Sequence, residues 1–233
     1  MSPEQGRRER NKLDKQERIF AAASELFGAE GYDGVTTQRI AERAGVTNGT
    51  LFRYAANKAE LLLMVMNSEF AARISEGREA AASVSAVQPA ASDPASEPAA
   101  RAAARVMALL TPIARGSRDP HESTSHYQRE LLFGEPTERY RAEGLALTET
   151  LQREIADLLG GNTGDDATLA ARAISNVLHL EIARAALEGS SPDDLTATIA
   201  RQVDLISSGY LRSRHPLTPD ASLTESPTKE DNS

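Results

Sequence analysis

Residues 36–61, TTQRIAERAGVTNGTLFRYAANKAEL, decide the fold of this chain. Thr36 and Thr47 each stand where a side chain can cap the start of a short helix, and residues 44–46 form the turn between the two helices. Gly45 can take the left-handed backbone conformation that such a turn requires. Two short helices joined by a tight glycine turn predict a helix-turn-helix, a unit that binds DNA in many proteins.

The second helix of such a unit lies in the major groove, where its first residues contact base edges. Asn48 can pair bidentately with adenine, Arg53 can reach guanine or a phosphate, and Lys58 stands at a helix start that favours a phosphate. The predicted DNA-binding residues are Thr36, Thr37, Gln38, Arg39, Thr47, Asn48, Gly49, Thr50, Phe52, Arg53, Tyr54 and Lys58.

From roughly Arg18 to Val65 the chain closely resembles the DNA-binding domain of the tetracycline-repressor (TetR) family. Two positions depart from the family pattern: Phe52 replaces a common tyrosine whose hydroxyl contacts phosphate, and Ala55 replaces a common bulky aromatic. The resemblance is carried, in register and without a gap, by Ala22, Leu26, Phe27, Gly31, Tyr32, Thr36, Ile40, Ala41, Ala44, Gly45, Val46, Gly49, Thr50, Leu51, Arg53, Tyr54, Lys58, Glu60 and Leu61.

The resemblance implies an all-α protein with a three-helix helix-turn-helix domain followed by a larger helical domain for ligand binding and dimerisation. It implies a homodimer on a palindromic double-stranded operator, with an unknown small molecule as effector and no cofactor. The expected function is a repressor that releases DNA when the effector binds. A ligand-dependent activator stays open, because nothing in the sequence fixes the direction of the response.

Helical periodicity predicts the domain organisation, and no stretch alternates as a strand would. The first helix is expected to start near Asp14, in an Asp-x-x-Glu capping pattern, and the fourth to run from Asn57 to about Gly77. Later helices are predicted at about 100–114, 123–133, 136–159, 166–187 and 192–212, after a proline-containing connection within 80–104. The predicted domains are a disordered basic tail over 1–11, the DNA-binding domain over 12–60, the regulatory domain over 61–213 and a disordered tail over 214–233.

The charge distribution suits DNA binding better than the total of −8 does. The first 60 residues carry ten Lys/Arg against nine Asp/Glu, and the rest carry sixteen against twenty-five. DNA binding depends on the charge of the contacting face, so an acidic remainder is compatible with it. No cysteine, no apolar run of roughly 20 residues and no apolar leader segment are present, which predicts a cytoplasmic protein with no membrane partner.

Two further sets of residues are predicted, one from apolar helical stripes and one from the Met and aromatic residues of the middle helices, although residues of the second kind are more often simply core. The last two long helices are apolar enough to pair with their symmetry copies as a four-helix bundle, although such stripes also suit a monomer's own core. The predicted dimer-interface residues are Ile174, Leu178, Ile182, Leu195, Ile199, Val203 and Ile206. The candidate ligand-binding residues, from the middle helices, are Met107, Tyr127, Phe133 and Tyr140.

Two other classes of protein are alternatives to a regulator. An enzyme would need chemistry that the sequence lacks, since it has no phosphate-binding glycine loop, nucleophile elbow or zinc-protease motif, and we predict that it is not one. His121, Glu122 and His126 could form a metal-dependent site, although a polar loop beside Pro120 explains them better. His179 is predicted to be a core or interface histidine. A helical adaptor without DNA binding would not be retained on a heparin column and eluted by salt.

Overall fold

A computed structural model describes residues 3–84, 97–116, 123–160 and 165–214. In these ranges every regular element is a helix, which confirms the predicted all-α class. No helix among them is long and apolar enough to cross a membrane. The helices are α1 Pro3–Gly34, α2 Thr37–Arg43, α3 Asn48–Leu51, α4 Lys58–Ser83, α5 Glu97–Gly116, α6 Ser123–Phe133, α7 Arg139–Leu158, α8 Asp165–Glu188 and α9 Pro192–Arg214.

Two hydrophobic clusters share α4. The amino-terminal core joins α1, α2 and α3 to the first turns of α4 and includes the fully buried side chains of Ile19, Ile40 and Leu51. The carboxy-terminal core is built by α5, α7, α8 and α9, and α4 contributes Phe70 and Ile74 to it. Because one continuous helix is packed into both cores, a tilt of α4 in one core also shifts its packing in the other.

The first helix starts earlier than predicted. It begins at Pro3, whereas the capping pattern predicted a start near Asp14 and a disordered tail over 1–11. The Asp14 carboxylate lies 3.3 Å from Nε of Arg18, one turn further along the same helix, as in a helix interior. The preceding Arg, Glu and Lys residues have high helix propensity and extend the helix. At its other end, Gly31 has a φ of 72° and breaks the regular helical backbone.

The fourth helix ends later than predicted. Gly77 was expected to end it, but α4 continues to Ser83, and Gly77 is buried inside it. A Cβ atom at Gly77 would overlap the backbone carbonyl oxygen of Leu109 in α5. The glycine therefore permits a close crossing of α4 and α5, a role that sequence alone cannot distinguish from a helix stop.

The predicted dimer-interface residues lie inside the monomer, which corrects their assignment. Ile174, Leu178, Ile182, Leu195, Ile199 and Val203 are all buried in the carboxy-terminal core, and Ile206 packs against it. A side chain without exposed surface in one chain has none to bury against a second chain. The exposed large side chains of these two helices are instead Leu169, Leu180 and Leu187 in α8 and Leu205 in α9.

Parts of the sequence predictions fall outside the described residues. These parts are the middle of the connection over 80–104, the tail beyond Arg214, and the two metal candidates His121 and Glu122. The connection is followed by α5 at Glu97, with Pro98 in its first turn, where a proline costs no intrahelical hydrogen bond.

Candidate nucleic-acid interface

The helix-turn-helix is fixed locally by its caps and its turn. The Thr36 hydroxyl accepts a hydrogen bond from the backbone amide of Arg39 at 3.3 Å, which starts α2. The Thr47 hydroxyl accepts one from the amide of Thr50 at 3.2 Å, which starts α3. Between them Gly45 has a φ of 63°, a conformation that a residue with a side chain rarely adopts. The turn chemistry predicted from the sequence is therefore present.

Packing against the amino-terminal core holds α2 and α3 in place. The side chains of Ile40, Ala41 and Leu51 are buried in the amino-terminal core, so the orientation of α3 depends on that core. Ala55, where the resemblance made an aromatic side chain more usual, is also buried. The position keeps its core role with a smaller side chain.

Two ion pairs fasten α2 to α1. The Arg39 guanidinium donates to both carboxylate oxygens of Glu30, at 2.5 and 2.6 Å, and Arg43 pairs with Glu25 at 2.7 Å. The hydrogen bond from Arg39 holds the pKa of Glu30 below its ordinary value. Arg39 thus helps to orient the helix-turn-helix. A DNA phosphate that binds Arg39 would have to share its guanidinium with Glu30 or displace Glu30 from it.

The start of α3 presents an open polar surface. Thr47, Asn48 and Gly49 are exposed, and no heavy atom lies within 4 Å of the position a Cβ of Gly49 would take. The hydroxyls of Thr47 and Thr50 are hydrogen-bonded to each other at 2.9 Å. Within the described part of the chain, the exposed side chains of Asn48 and Arg53 have no hydrogen-bond or ion-pair partner. These groups are free to bind another molecule.

The remaining predicted contacts surround this surface. Thr37 is half-buried, and the Gln38 side-chain amide donates to Glu42 at 3.0 Å. Phe52 is 43% exposed and offers an apolar edge where a tyrosine hydroxyl is more usual. Beyond α3, the Tyr54 hydroxyl donates to the backbone carbonyl of Lys12 at 3.3 Å, which ties α1 to the end of the reading unit.

Lys58 lies in the first turn of α4, as predicted, but its ammonium is already engaged. Its Nζ atom lies 4.2 Å from the centroid of the Tyr32 ring, within the range of a cation–π contact. The other face of this site is closed by His126 of α6, whose ring centroid is 4.4 Å from that of Tyr32. Nε2 of His126 also lies 3.5 Å from the Asp33 carboxylate. The end of α1 is therefore held between α4 and α6.

A buried polar network, which nothing in the sequence predicted, joins the start of α4 to α6 and α7. The Glu60 carboxylate accepts a hydrogen bond from the amide of Tyr140 at 2.8 Å, and Asn67 donates to the carbonyl of Tyr140 at 2.7 Å. The Tyr127 hydroxyl donates to Asn67 at 2.8 Å. Burial raises the pKa values of Glu60 and Tyr127. We call Glu60, Asn67, Tyr127 and Tyr140 the junction network.

The four candidate ligand residues do not line one common cavity. Tyr127 and Tyr140 belong to the junction network, Met107 packs against the carboxy-terminal core, and Phe133 is 81% exposed at the end of α6. A largely apolar cavity of about 320 Å³ lies instead between α6, α7 and α8. Its walls are formed by Gln128, Leu131, Leu132, Leu145, Thr148, Ser175, Asn176, His179, Leu180 and Ala183.

His179 gives this cavity an unusual polar group. Its Nδ1 atom is buried without a hydrogen-bond partner in the described residues, and burial lowers the pKa of the imidazole. The ring is therefore neutral at pH 7, and no carboxylate, lysine or arginine lines the cavity. The lining suits an uncharged molecule that is mostly apolar and carries a hydrogen-bonding group.

The metal alternative gains no support from the described residues. Of its three candidates only His126 is described, and it faces Tyr32 and Asp33. Within the described ranges, no three His, Asp or Glu side chains are grouped as metal ligands would be.

Similar sequences in known proteins match only part of this chain. FasR, an HTH-type transcriptional activator of Mycolicibacterium smegmatis, is 36% identical over 81 residues, which cover 34% of this chain and 37% of FasR. KstR, an HTH-type transcriptional repressor of Rhodococcus jostii, is 37% identical over 65 residues, covering 28% and 31%. The matched part thus spans about a third of the length of these curated relatives.

Similar solved structures cover most of the chain. FadR of Thermus thermophilus, a TetR-family repressor solved in complex with lauroyl-CoA, gives a TM-score of 0.58 at 25% identity, covering 81% of this chain and 92% of FadR. A TetR regulator of Rhodococcus sp. RHA1 gives 0.59 at 22% identity, covering 82% and 94%, and shows the fold.

A capped, exposed helix-turn-helix on a rigid three-helix domain, followed by a larger helical bundle, defines a class of DNA-binding transcriptional regulators. The family model for bacterial regulatory proteins of the tetR family matches residues 19–65, from the buried half of α1 to the first turns of α4. Over these residues the chain is similar to the TetR family, as the resemblance predicted.

Proposed function

We propose that this chain is a dimeric transcriptional repressor that reads a palindromic operator with α3 and releases it when a small molecule binds. One observation carries the proposal above all: in the described residues the exposed side chains of Asn48, which begins α3, and of Arg53, two residues beyond its end, have no partner, while the caps and core of α3 are complete. Side chains held ready by a rigid scaffold can read base edges at a low entropic cost.

Dimerisation is supported by the outer faces of the last two helices. Leu169, Leu180 and Leu187 follow one another at intervals of 11 and 7 residues, which places them on one stripe of α8, opposite its buried stripe. Leu205 is exposed on α9. A stripe of exposed leucines on a helix already packed in a core favours a second, intermolecular contact.

The effector is proposed to bind in the cavity between α6, α7 and α8. Leu131 lines this cavity and is also part of the amino-terminal core, so a ligand that displaces it acts on both. The neighbouring Tyr127 holds Asn67 of α4, and His126 holds Tyr32 of α1. A shift of α6 would thus move the DNA-binding domain and change the spacing of the two reading helices.

Whether the ligand releases the protein from DNA or promotes its binding is less well supported than DNA binding itself. FadR and KstR are named repressors, while FasR is named an activator. A ligand-dependent activator is therefore the second candidate. In either case the ligand must bind more tightly to one of two conformations of the dimer, which differ in the spacing of their two α3 helices.

Selection of bound duplexes from a random DNA library tests the proposal. The expected product is a palindrome whose half-sites are separated by about one helical turn, or roughly 34–36 Å. Enrichment of no sequence over the input library, with a folded protein, would contradict sequence-specific reading by α3. A non-palindromic product would contradict the symmetric dimer.

A cavity-filling variant tests the effector site. A ligand is first identified by thermal shift in a screen of uncharged apolar compounds. Ala183→Leu, inside the cavity, is expected to weaken its binding at least tenfold, because the added side chain occupies its volume. Ala186→Leu, exposed on the same helix, should not. By reciprocity, an inducer must bind the operator complex more weakly than the free protein. Equal affinities in calorimetry would contradict the release mechanism.

A further inference from the structure

The face of α1 that packs in the amino-terminal core is apolar there and becomes basic where the helix extends beyond that core. Ile19 and Ala22 are buried and Leu26 is half-buried, at alternating steps of three and four residues that keep them on one helical face. Continuing backwards by the same steps, that face carries Lys15, Lys12 and Arg8, all exposed. We call Arg8, Lys12 and Lys15 the basic stripe.

The position of the basic stripe is fixed by a contact with the helix-turn-helix. The backbone carbonyl of Lys12 accepts the hydrogen bond of Tyr54, just beyond α3, at 3.3 Å. Nη1 of Arg18, six residues further along α1, lies 3.3 Å from the Cβ position of Gly45 in the turn before α3. This part of α1 therefore lies directly beside the helix-turn-helix.

Resting on the proposed function, we propose that the basic stripe binds DNA phosphates flanking the groove that α3 reads. The charges stand where an apolar face would otherwise continue, which suits a polyanion better than a protein core. With a rise of about 1.5 Å per residue, Arg8 lies roughly 10 Å beyond Lys15 along the helix. That distance corresponds to about three base pairs, at roughly 3.4 Å each.

Competing charges on this segment are weak. The Lys12 ammonium lies 3.9 Å from the Glu9 carboxylate, but both side chains are more than 60% exposed. Exposed pairs of this kind are screened and hold a lysine only loosely. Lys12 is therefore available to a phosphate. Because α1 is helical from Pro3, the charges are presented in fixed register, at a lower entropic cost than a disordered tail would have.

Salt dependence of binding separates this role from a merely structural one. The probe is the duplex obtained by selection, carried with at least ten base pairs of flank on each side. Each of Arg8→Gln, Lys12→Gln and Lys15→Gln is expected to reduce the slope of log K against log salt by about 0.9 for every phosphate left without its cation, and by twice that in a dimer. Trimming the flanks should weaken the wild type more than the triple variant. The selected sequence should stay the same.

Arg10→Gln is the matched control, because Arg10 lies two residues from both Arg8 and Lys12 and so on the opposite face of α1. It should keep the wild-type slope. Equal slopes for the wild type and the triple variant, while Asn48→Ala still loses affinity, would overturn this inference and leave the proposed function intact. A triple variant that changes only the dimer mass in sedimentation would assign the stripe to a second copy and also overturn it. A wild type that binds no DNA would overturn both proposals.

Discussion

Ile199→Asp is expected to unfold the carboxy-terminal helices, whereas Leu205→Asp on the same helix is expected to leave a folded monomer. Ile199 has no exposed surface, and Leu205 is 70% exposed. Removing a buried isoleucine side chain costs about 2–5 kcal/mol, and an unpaired buried charge adds to this. Since whole domains are stable by only about 5–15 kcal/mol, little stability would remain.

The two variants are compared by circular dichroism and by sedimentation at low micromolar concentration. Leu205→Asp should unfold cooperatively like the wild type but sediment as a monomer, and it should lose affinity for the full palindrome. A Leu205→Asp protein that remains dimeric would remove this position from the interface. An Ile199→Asp protein that is folded and monomeric would contradict the burial of Ile199 and restore it as an interface residue.

The helix-turn-helix was predictable because its determinants are local. Thr36 and Thr47 cap their helices through amides three residues away, and Gly45 sets the turn through its own φ. Such interactions are encoded in a few consecutive residues, so a single sequence is sufficient to place them. The predicted bounds of α6 and the start of α9 at Pro192, behind the Ser191 cap, also follow from local breakers and caps.

Burial of the predicted interface residues within one chain was not predictable, because α8 is apolar on two opposite faces. Ile174 and Leu178 point into the core, and Leu169 and Leu180 point out of it. Periodicity reports that a stripe is apolar, but not whether the monomer or a partner covers it. Only the positions of α5, α7 and α9 around α8 separate the two.

The junction network and the cavity depend on contacts between residues far apart in sequence. The Glu60 carboxylate accepts a hydrogen bond from the amide of Tyr140, which is 80 residues away. His179 looked like a satisfied core histidine, yet its Nδ1 atom is without a partner beside the cavity. Long-range pairings of this kind leave no periodic signal in a single sequence.

Operator affinity of variants at Asn48 and Arg53 tests the central claim most directly. Asn48→Ala and Arg53→Ala are each expected to weaken binding of the selected duplex roughly 5–150-fold, since removing a good base contact costs about 1–3 kcal/mol. Their affinity for a scrambled duplex should change less. Arg115→Ala, which removes a charge paired with Asp193 far from α3 in sequence, is the charge-matched control and should bind like the wild type. If both the Asn48→Ala and the Arg53→Ala variants bind the selected duplex with wild-type affinity, the assignment of α3 as the reading helix is contradicted.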